Sequence, residues 1–390
     1  MKININLIKS TPPNLAFNFC VYGEPPTEVK QWIEYHNLST ISSGKYTNII
    51  IPKNVNISDL FIENELYEYM DGFSPNLNKN LHVGHLSNLT LASVFQSMGI
   101  TKNVISIMGD TLNGEVDPEE AFENYENTCD LFNFSLGEIF YASKMKYNGD
   151  LLVDGVGDYE GTKVFNTDTP IVGIKSDGST SYFYQDVALA SHLNAKTIYL
   201  TGFEQDNHFN QIKSMFPHTD HIGLGLVMID GKKMSSSDGN IIFASDIIDK
   251  FKNEFKDTKV GVNILKGQIL KSKPSSVKNI NTKDIHNPKT SFGLYLSYTT
   301  ARLNSAGLTP NENINEFISK ELEYIYLKSK YNLTPNTFLK GLVELSGKIN
   351  NLYLNHTIKG NEGNQKMFQP LLDDLVYGMD KLGMYYIEKI

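Results

Sequence analysis

Arginine is nearly absent from this chain. Arg302 is the only one in 390 residues, so lysine supplies almost all of the 35 basic side chains. Cysteine is scarce as well. Cys20 and Cys129 stand far apart without zinc-ligand spacing, which excludes a disulfide scaffold and leaves two free thiols, as expected in a reducing cytoplasm. No apolar run reaches the roughly 18 residues of a membrane span. The opening MKININLIKS also lacks the apolar core of a secretory signal, so neither a membrane partner nor export is expected. Repeats and low-complexity stretches are missing. Collagen-like and disordered classes fall away with them, because 40% apolar residues can fill a sizeable core in two or three domains.

The net charge of −9 argues against a generic nucleic-acid coat, yet the charge is unevenly placed. Ten lysines lie between Lys250 and Lys289 against Glu254, Asp257 and Asp284, a local +7. Between Asp110 and Asp130 there are eight carboxylates and no lysine. The plain reading of either run is a solvated helix face.

Residues 1–66 mix short strand-like runs, clearest at Asn48–Ile51, with proline and serine punctuation, and suggest a small α+β module. From 67 to 288 apolar strand-length runs alternate with helix-length segments. Strands are expected at Val104–Met108, Pro170–Ile174, Thr197–Leu200 and Gly225–Ile229, with another leading into Ser74. Such alternation predicts an α/β domain with a Rossmann-like, doubly wound parallel sheet. Beyond 289 the strand signal fades. Helices are expected over Phe292–Ala306, Leu322–Lys330, Pro335–Leu354 and Met367–Leu382, which gives an all-α C-terminal domain.

Two segments carry chemistry. In the first, Ser74–His85, two histidines three residues apart suggest metal ligands, but no third ligand is near and zinc needs a spaced set. The other reading is an anion site. Gly84 permits close backbone approach at a helix N-terminus, where free N–H groups favour a phosphate and His82 and His85 add donors. The second segment, Gly231–Asn240, follows an expected strand and presents lysines on a turn. It is an exposed basic turn or a mobile loop whose ammonium meets developing phosphate charge.

In this order, about 150 residues apart, the two segments resemble the "HIGH" and "KMSKS" signatures of class I aminoacyl-tRNA synthetases. Further runs are similar to one family among them, the arginyl-tRNA synthetases. They are Ser74-Pro75-Asn76 with Asn78-Lys79, Phe134–Glu138, Lys175–Gly178 followed by Tyr182 and Gln185–Ala188, Gln205–Phe209, and Leu296–Leu303. The resemblance covers about 67–306 well, continues weakly to 390 and is poor before 60.

It implies activation of arginine by ATP to an arginyl-adenylate, then transfer to the terminal ribose of tRNA(Arg). Catalytic roles fall to Lys79, His82, His85 and Lys233. ATP would meet His82, Gly84, His85, Gly202, Gln205, His208, Lys233, Met234 and Ser235. Arginine would meet Asp71, Ser74, Asn76, Glu138, Tyr182, Asp186 and Gln205, and tRNA would meet Lys271, Lys273, Tyr298 and Arg302. Mg²⁺ would ride on the ATP phosphates without a protein cage. A monomer is expected.

The pocket chemistry agrees. A planar guanidinium with five donors needs at least two fixed carboxylates, which Glu138 and Asp186 would supply beside Tyr182. Departures from the pattern also matter. Ser236 replaces the second "KMSKS" lysine, for which the resemblance implies compensation by Lys79. Ser87 stands where the family usually has Arg, and Asp71 near a usual Glu that reads the substrate amino group. The segment between Asp110 and Glu138 is short, as are the outer modules. The adenylation site is therefore better supported than the tRNA-binding parts. An arginine-activating paralogue with another acceptor, or a silent binding protein, is the alternative.

Overall fold

The computed structural model describes residues 1–10, 19–52, 54–63, 66–110, 117–167, 169–233, 242–283, 285–288, 290–312, 314 and 318–390. The chain divides into two compact units, Leu66–Ile285 and a second formed by Met1–Glu65 with His286–Ile390.

The chain begins with β1 (Lys9–Ser10), β2 (Phe19–Tyr22), α1 (Thr27–Tyr35), β3 (Ser39–Ser43) and β4 (Tyr46–Ile50). Their strands form an antiparallel sheet in the order β1–β2–β4–β3.

Within Leu66–Ile285 the first elements are β5 (Tyr67–Asp71), α2 (Val83–Ser97), β6 (Thr101–Met108), α3 (Pro118–Leu131) and β7 (Glu138–Tyr141). Three short strands follow: β8 (Leu152–Asp154), β9 (Lys163–Phe165) and β10 (Ile171–Ile174). Next come α4 (Tyr182–Leu193), β11 (Thr197–Gly202), α5 (Asp206–Met215) and β12 (Thr219–Leu224). Five strands make one parallel sheet among the described residues, in the order β12–β11–β5–β6–β7. This is the doubly wound α/β architecture that the alternating runs predict.

Ile105, Ile107 and Tyr199 share a core with Phe183 and Val187 of α4 and Phe209 of α5. Strand alternation then turns Leu200 to the other face, where it meets α2. There a Cβ at Gly72 would fall 2.5 Å from Cβ of Ala92, so only glycine lets α2 lie this close to the sheet.

Two expected strands lie outside this sheet. Pro170–Ile174 becomes β10, which pairs antiparallel with β9 in a three-stranded sheet. Gly225–Ile229 contributes β13 (Val227–Ile229), which pairs with β14 (Lys232–Lys233) and, after α6 (Ala244–Phe255) and α7 (Thr258–Ile269), with β15 (Lys278–Ile280). Their apolar runs record burial, which is common to all three sheets. The edge strands β7 and β12 were not expected, and interior residues of both are only half-buried.

The lysine-rich run is no uniform solvated face either. Lys266 is fully buried and Lys278 nearly so.

The second unit closes with α8 (Phe292–Ser305), α9 (Lys320–Tyr331), α10 (Pro335–Asn355) and α11 (Glu362–Lys381), close to the expected helices. Tyr324 of α9 lies in one core with Phe19, Trp32 and Phe61, and its hydroxyl donates to the Ile8 carbonyl at 2.9 Å.

Candidate active site

From β5 the chain adds strands outward on one side, then returns to build β11 and β12 on the other. The crevice at the carboxyl ends of β5 and β11 is therefore the topological switch point, where open α/β sheets bind ligands. A cavity of about 370 Å³ opens there. Asp71, Ser74, His82, Gly84, His85, Gly202 and Gln205 line it, all of them residues singled out in the sequence. Phe73, Ser87, Asn88, Leu200, Thr201, Glu204 and the stretch from Leu224 to Val227 complete its wall.

His82 is the N-cap of α2, and its Nδ1 accepts the Gly84 N–H at 3.1 Å. Nδ1 of His85 accepts the His82 N–H at 3.0 Å. The rings stack with centroids 3.9 Å apart. A Cβ at Gly84 would lie 2.8 Å from the His82 ring, so glycine is required within the pair.

Burial holds the His82 imidazole below its usual pKa, helped by the Lys79 charge. Burial and the neighbouring His82 push His85 down to about 3. Both rings are therefore neutral at pH 7. Since Nδ1 accepts in each, the proton of each sits on Nε2. The helix start carries two imidazole donors and the helix dipole, a set suited to phosphate oxygens.

The neighbouring wall is acidic. Asp71 is 5% exposed, and burial, reinforced by the charge of Asp186, pushes its carboxyl up to about 7. Ser74 Oγ donates to Asp71 Oδ1 at 2.5 Å and accepts the Ile107 N–H at 2.8 Å, which fixes the carboxyl orientation. Tyr199 pairs in register with Asp71 across β11 and β5, so both face α4 and α5. The Tyr199 hydroxyl is fully buried and has no hydrogen-bond partner, and burial with the charges of Asp186 and Asp71 raises its pKa well above normal. Asp186 itself bonds His208 Nε2 at 2.6 Å.

Other expected site residues lie elsewhere. Glu138 is exposed at the start of β7, in a second cavity with Tyr69 and Asn103. Tyr182 opens α4 and is 58% exposed. The Asn76 side chain packs over Gly109, and Tyr125 Oη reaches the carbonyls of Asn76 and Lys79, clamping the loop that carries the Lys79 ammonium. Lys233 ends β14 in the open, while Met234 and Ser235 lie outside the described residues. Lys271 and Lys273 are exposed. Arg302 stacks 4.1 Å from the Tyr353 ring centroid and bonds Asn350, while Tyr298 is 43% exposed. Among the described residues no group of three or more His, Cys, Asp or Glu side chains is placed to hold a metal. None of their helices is long and apolar enough to cross a membrane.

No family model matches the chain. Among curated proteins, an arginine–tRNA ligase of Limosilactobacillus reuteri (strain DSM 20016) is 26% identical over 287 residues, spanning 60% of this chain and 50% of that protein. One from Limosilactobacillus fermentum is 34% identical over 149 residues, 33% of this chain and 26% of that protein. The chain resembles the arginyl-tRNA synthetases.

Solved arginyl-tRNA synthetases share the fold. That of Thermus thermophilus matches with a TM-score of 0.68 at 13% identity, covering 98% of this chain and 96% of the other. That of Plasmodium falciparum gives 0.65 at 16% identity, covering 98% and 94%. The chain spans about half the length of the curated synthetase from L. reuteri.

Sequence reasoning missed Thr201, which lines the cavity, and Tyr199 and His221, which lie near it. Strand alternation puts Tyr199 and Thr201 on one face, but His221 sits on β12, which opens with three polar residues and gives no apolar run.

Proposed function

We propose that the protein is an arginine–tRNA ligase. It joins the arginine carboxylate to the α-phosphate of ATP, releases pyrophosphate, and passes the arginyl group to the 3′-terminal ribose of tRNA(Arg). The observation that carries this reading is the meeting, in one switch-point cavity, of a phosphate-suited helix start with the buried carboxyl of Asp71.

His82 and His85 donate from Nε2 to phosphate oxygens, and Lys79 and Lys233 bring ammonium charge to the departing pyrophosphate. Gly202, Gln205 and His208, with Met234 and Ser235 of the lysine-bearing loop, complete the nucleotide site. Mg²⁺, when bound, would be held by the ATP phosphates rather than by a protein cage and would supply charge neutralisation there. Asp71 takes the arginine α-ammonium. Asp186 receives the guanidinium, joined by Glu138 and Tyr182 although neither lines the switch-point cavity, with Ser74, Asn76 and Gln205 shaping the pocket. Lysine leaves part of that fork unpaired and is rejected by a few kcal/mol, on the order of one or two lost charged hydrogen bonds. Lys271, Lys273, Tyr298 and Arg302 contact tRNA. The protein works as a cytoplasmic monomer.

The test is arginine-dependent ATP–pyrophosphate exchange with lysine as control, alongside transfer of labelled arginine to tRNA(Arg). Exchange and transfer together support the reading. Exchange in the absence of any transfer overturns the tRNA acceptor, and an equal response to lysine overturns the amino-acid assignment.

A further inference from the structure

Lys278 has no part in the reaction proposed above, yet it is only 3% exposed. Its ammonium is folded into the turn between α7 and β15. It donates to the Ser272 hydroxyl at 3.2 Å, to the Ser272 carbonyl at 3.4 Å and to the Lys273 carbonyl. An ammonium carries three donors, and these are three acceptors. Burial lowers its pKa from 10.5 to about 8, so the group stays mostly charged at pH 7.

The turn needs that charge. It follows the end of α7, where the helix dipole is negative and the last carbonyls lack helical partners. The Lys273 carbonyl also accepts the Ser276 N–H at 3.0 Å, which closes a four-residue turn with Pro274 at its second position, where proline is preset. Without the ammonium, the carbonyls of Ser272 and Lys273 would lose the charge that draws them together.

The same turn backs the cavity. The Gly225 N–H donates to the Pro274 carbonyl at 3.0 Å, and the Lys278 N–H donates to the Leu226 carbonyl at 2.8 Å. Val227 pairs in register with Lys278 across β13 and β15. A Cβ at Gly225 would lie 2.0 Å from the Ser276 carbonyl oxygen, so the two backbones touch there. Gly225, Leu226 and Val227 all line the switch-point cavity, and Lys278 does not. The wall takes its position from a turn folded around one ammonium.

We infer that Lys278 is a positioning residue for the nucleotide: its ammonium fixes the Lys273–Ser276 turn, and the turn sets where the Gly225–Val227 wall of the cavity stands. This rests on the nucleotide reading above. Lys278 touches no ligand and acts through backbone that does. The amino-acid side, with Asp71 on β5 and Ser74 just after it, is built on other elements.

Calorimetric binding of ATP and of arginine to the full chain tests this, with no dependence on turnover. Lys278→Met keeps the volume and removes the charge. It should weaken ATP binding about tenfold, the worth of one net hydrogen bond, and hold arginine affinity within about twofold. Ser272→Ala takes away one acceptor and should weaken ATP binding about threefold with the same selectivity. Equal losses for ATP and arginine would mark a general structural role and overturn the inference. Unchanged ATP affinity in folded Lys278→Met, or in Ser272→Ala should the first variant not fold, overturns the inference alone. A wild type that binds no ATP overturns the proposed function with it.

Discussion

Replacing Lys266 with methionine should stabilise the Leu66–Ile285 unit at pH 7 and destabilise it above about pH 9, by linkage. The Lys266 ammonium is fully buried, donating to Ser93 Oγ of α2 at 2.9 Å and to the Phe132 carbonyl after α3 at 2.7 Å. Burial lowers its pKa from 10.5 to about 7. Each pKa unit is about 1.4 kcal/mol, so keeping this lysine buried costs about 4 kcal/mol at pH 7, where half of it is charged.

Methionine fills a similar volume and removes that cost. It also forfeits at least these two hydrogen bonds and leaves the Phe132 carbonyl without this donor, about 2–3 kcal/mol together. The net is a gain of roughly 1–2 kcal/mol at pH 7. Between pH 7 and 10.5 the unfolded chain holds the lysine proton and the folded one does not. Wild-type stability from this group therefore rises with pH by about 1.4 kcal/mol per unit. The variant lacks that slope, so its advantage shrinks and reverses between about pH 8 and 9.

The single tryptophan, Trp32, belongs to the other unit's core, so its fluorescence is the wrong probe. Hydrogen exchange of α2 and α7 amides at pH 7, 8 and 9, corrected for intrinsic rates, reads the right region. A variant less protected at pH 7, or a difference that stays flat with pH, would refute the reasoning.

Other outcomes are equally specific. Lys79→Ala should lower arginine-dependent exchange by two or more orders of magnitude with circular dichroism unchanged; a near-normal rate removes this ammonium from the reaction. Asp186→Asn should raise KM for arginine far more than KM for ATP, and equal effects would place it outside the amino-acid pocket. Asp71 is protonated below about 7, so kcat/KM for arginine should climb with pH through that value and level off, a limb that Asp71→Asn should lose. Tyr199→Phe removes a buried hydroxyl without a partner and should leave stability equal or raise it by about 1 kcal/mol in thermal unfolding. A loss of several kcal/mol would show that the hydroxyl is satisfied.

Much of the site was legible because its parts are local. His82, Gly84 and His85 occupy one turn at a helix start, and a cap, a tight glycine and two imidazoles within four residues constrain one another without help from the rest of the chain. The parallel sheet was legible in outline for a related reason: strands buried on both faces, such as Val104–Met108 with Ser106 its one polar residue, read as near-continuous apolar runs. Sheet membership was not, since the same kind of run serves β10 and β13 in small separate sheets.

Protonation and proton direction belong to the tertiary structure alone. Asp71 and Asp186 are 115 positions apart in sequence, and only the packing of α4 on the sheet lets the charge of one raise the pKa of the other. Nothing along the chain marks His221, yet parallel register sets it beside Tyr199 on the face that carries Thr201 and Asp206. Residue type and local spacing determined which groups this protein has for chemistry. Burial and long-range register decided which are charged, which donate and which accept, because desolvation and hydrogen-bond direction exist only once distant segments share a surface.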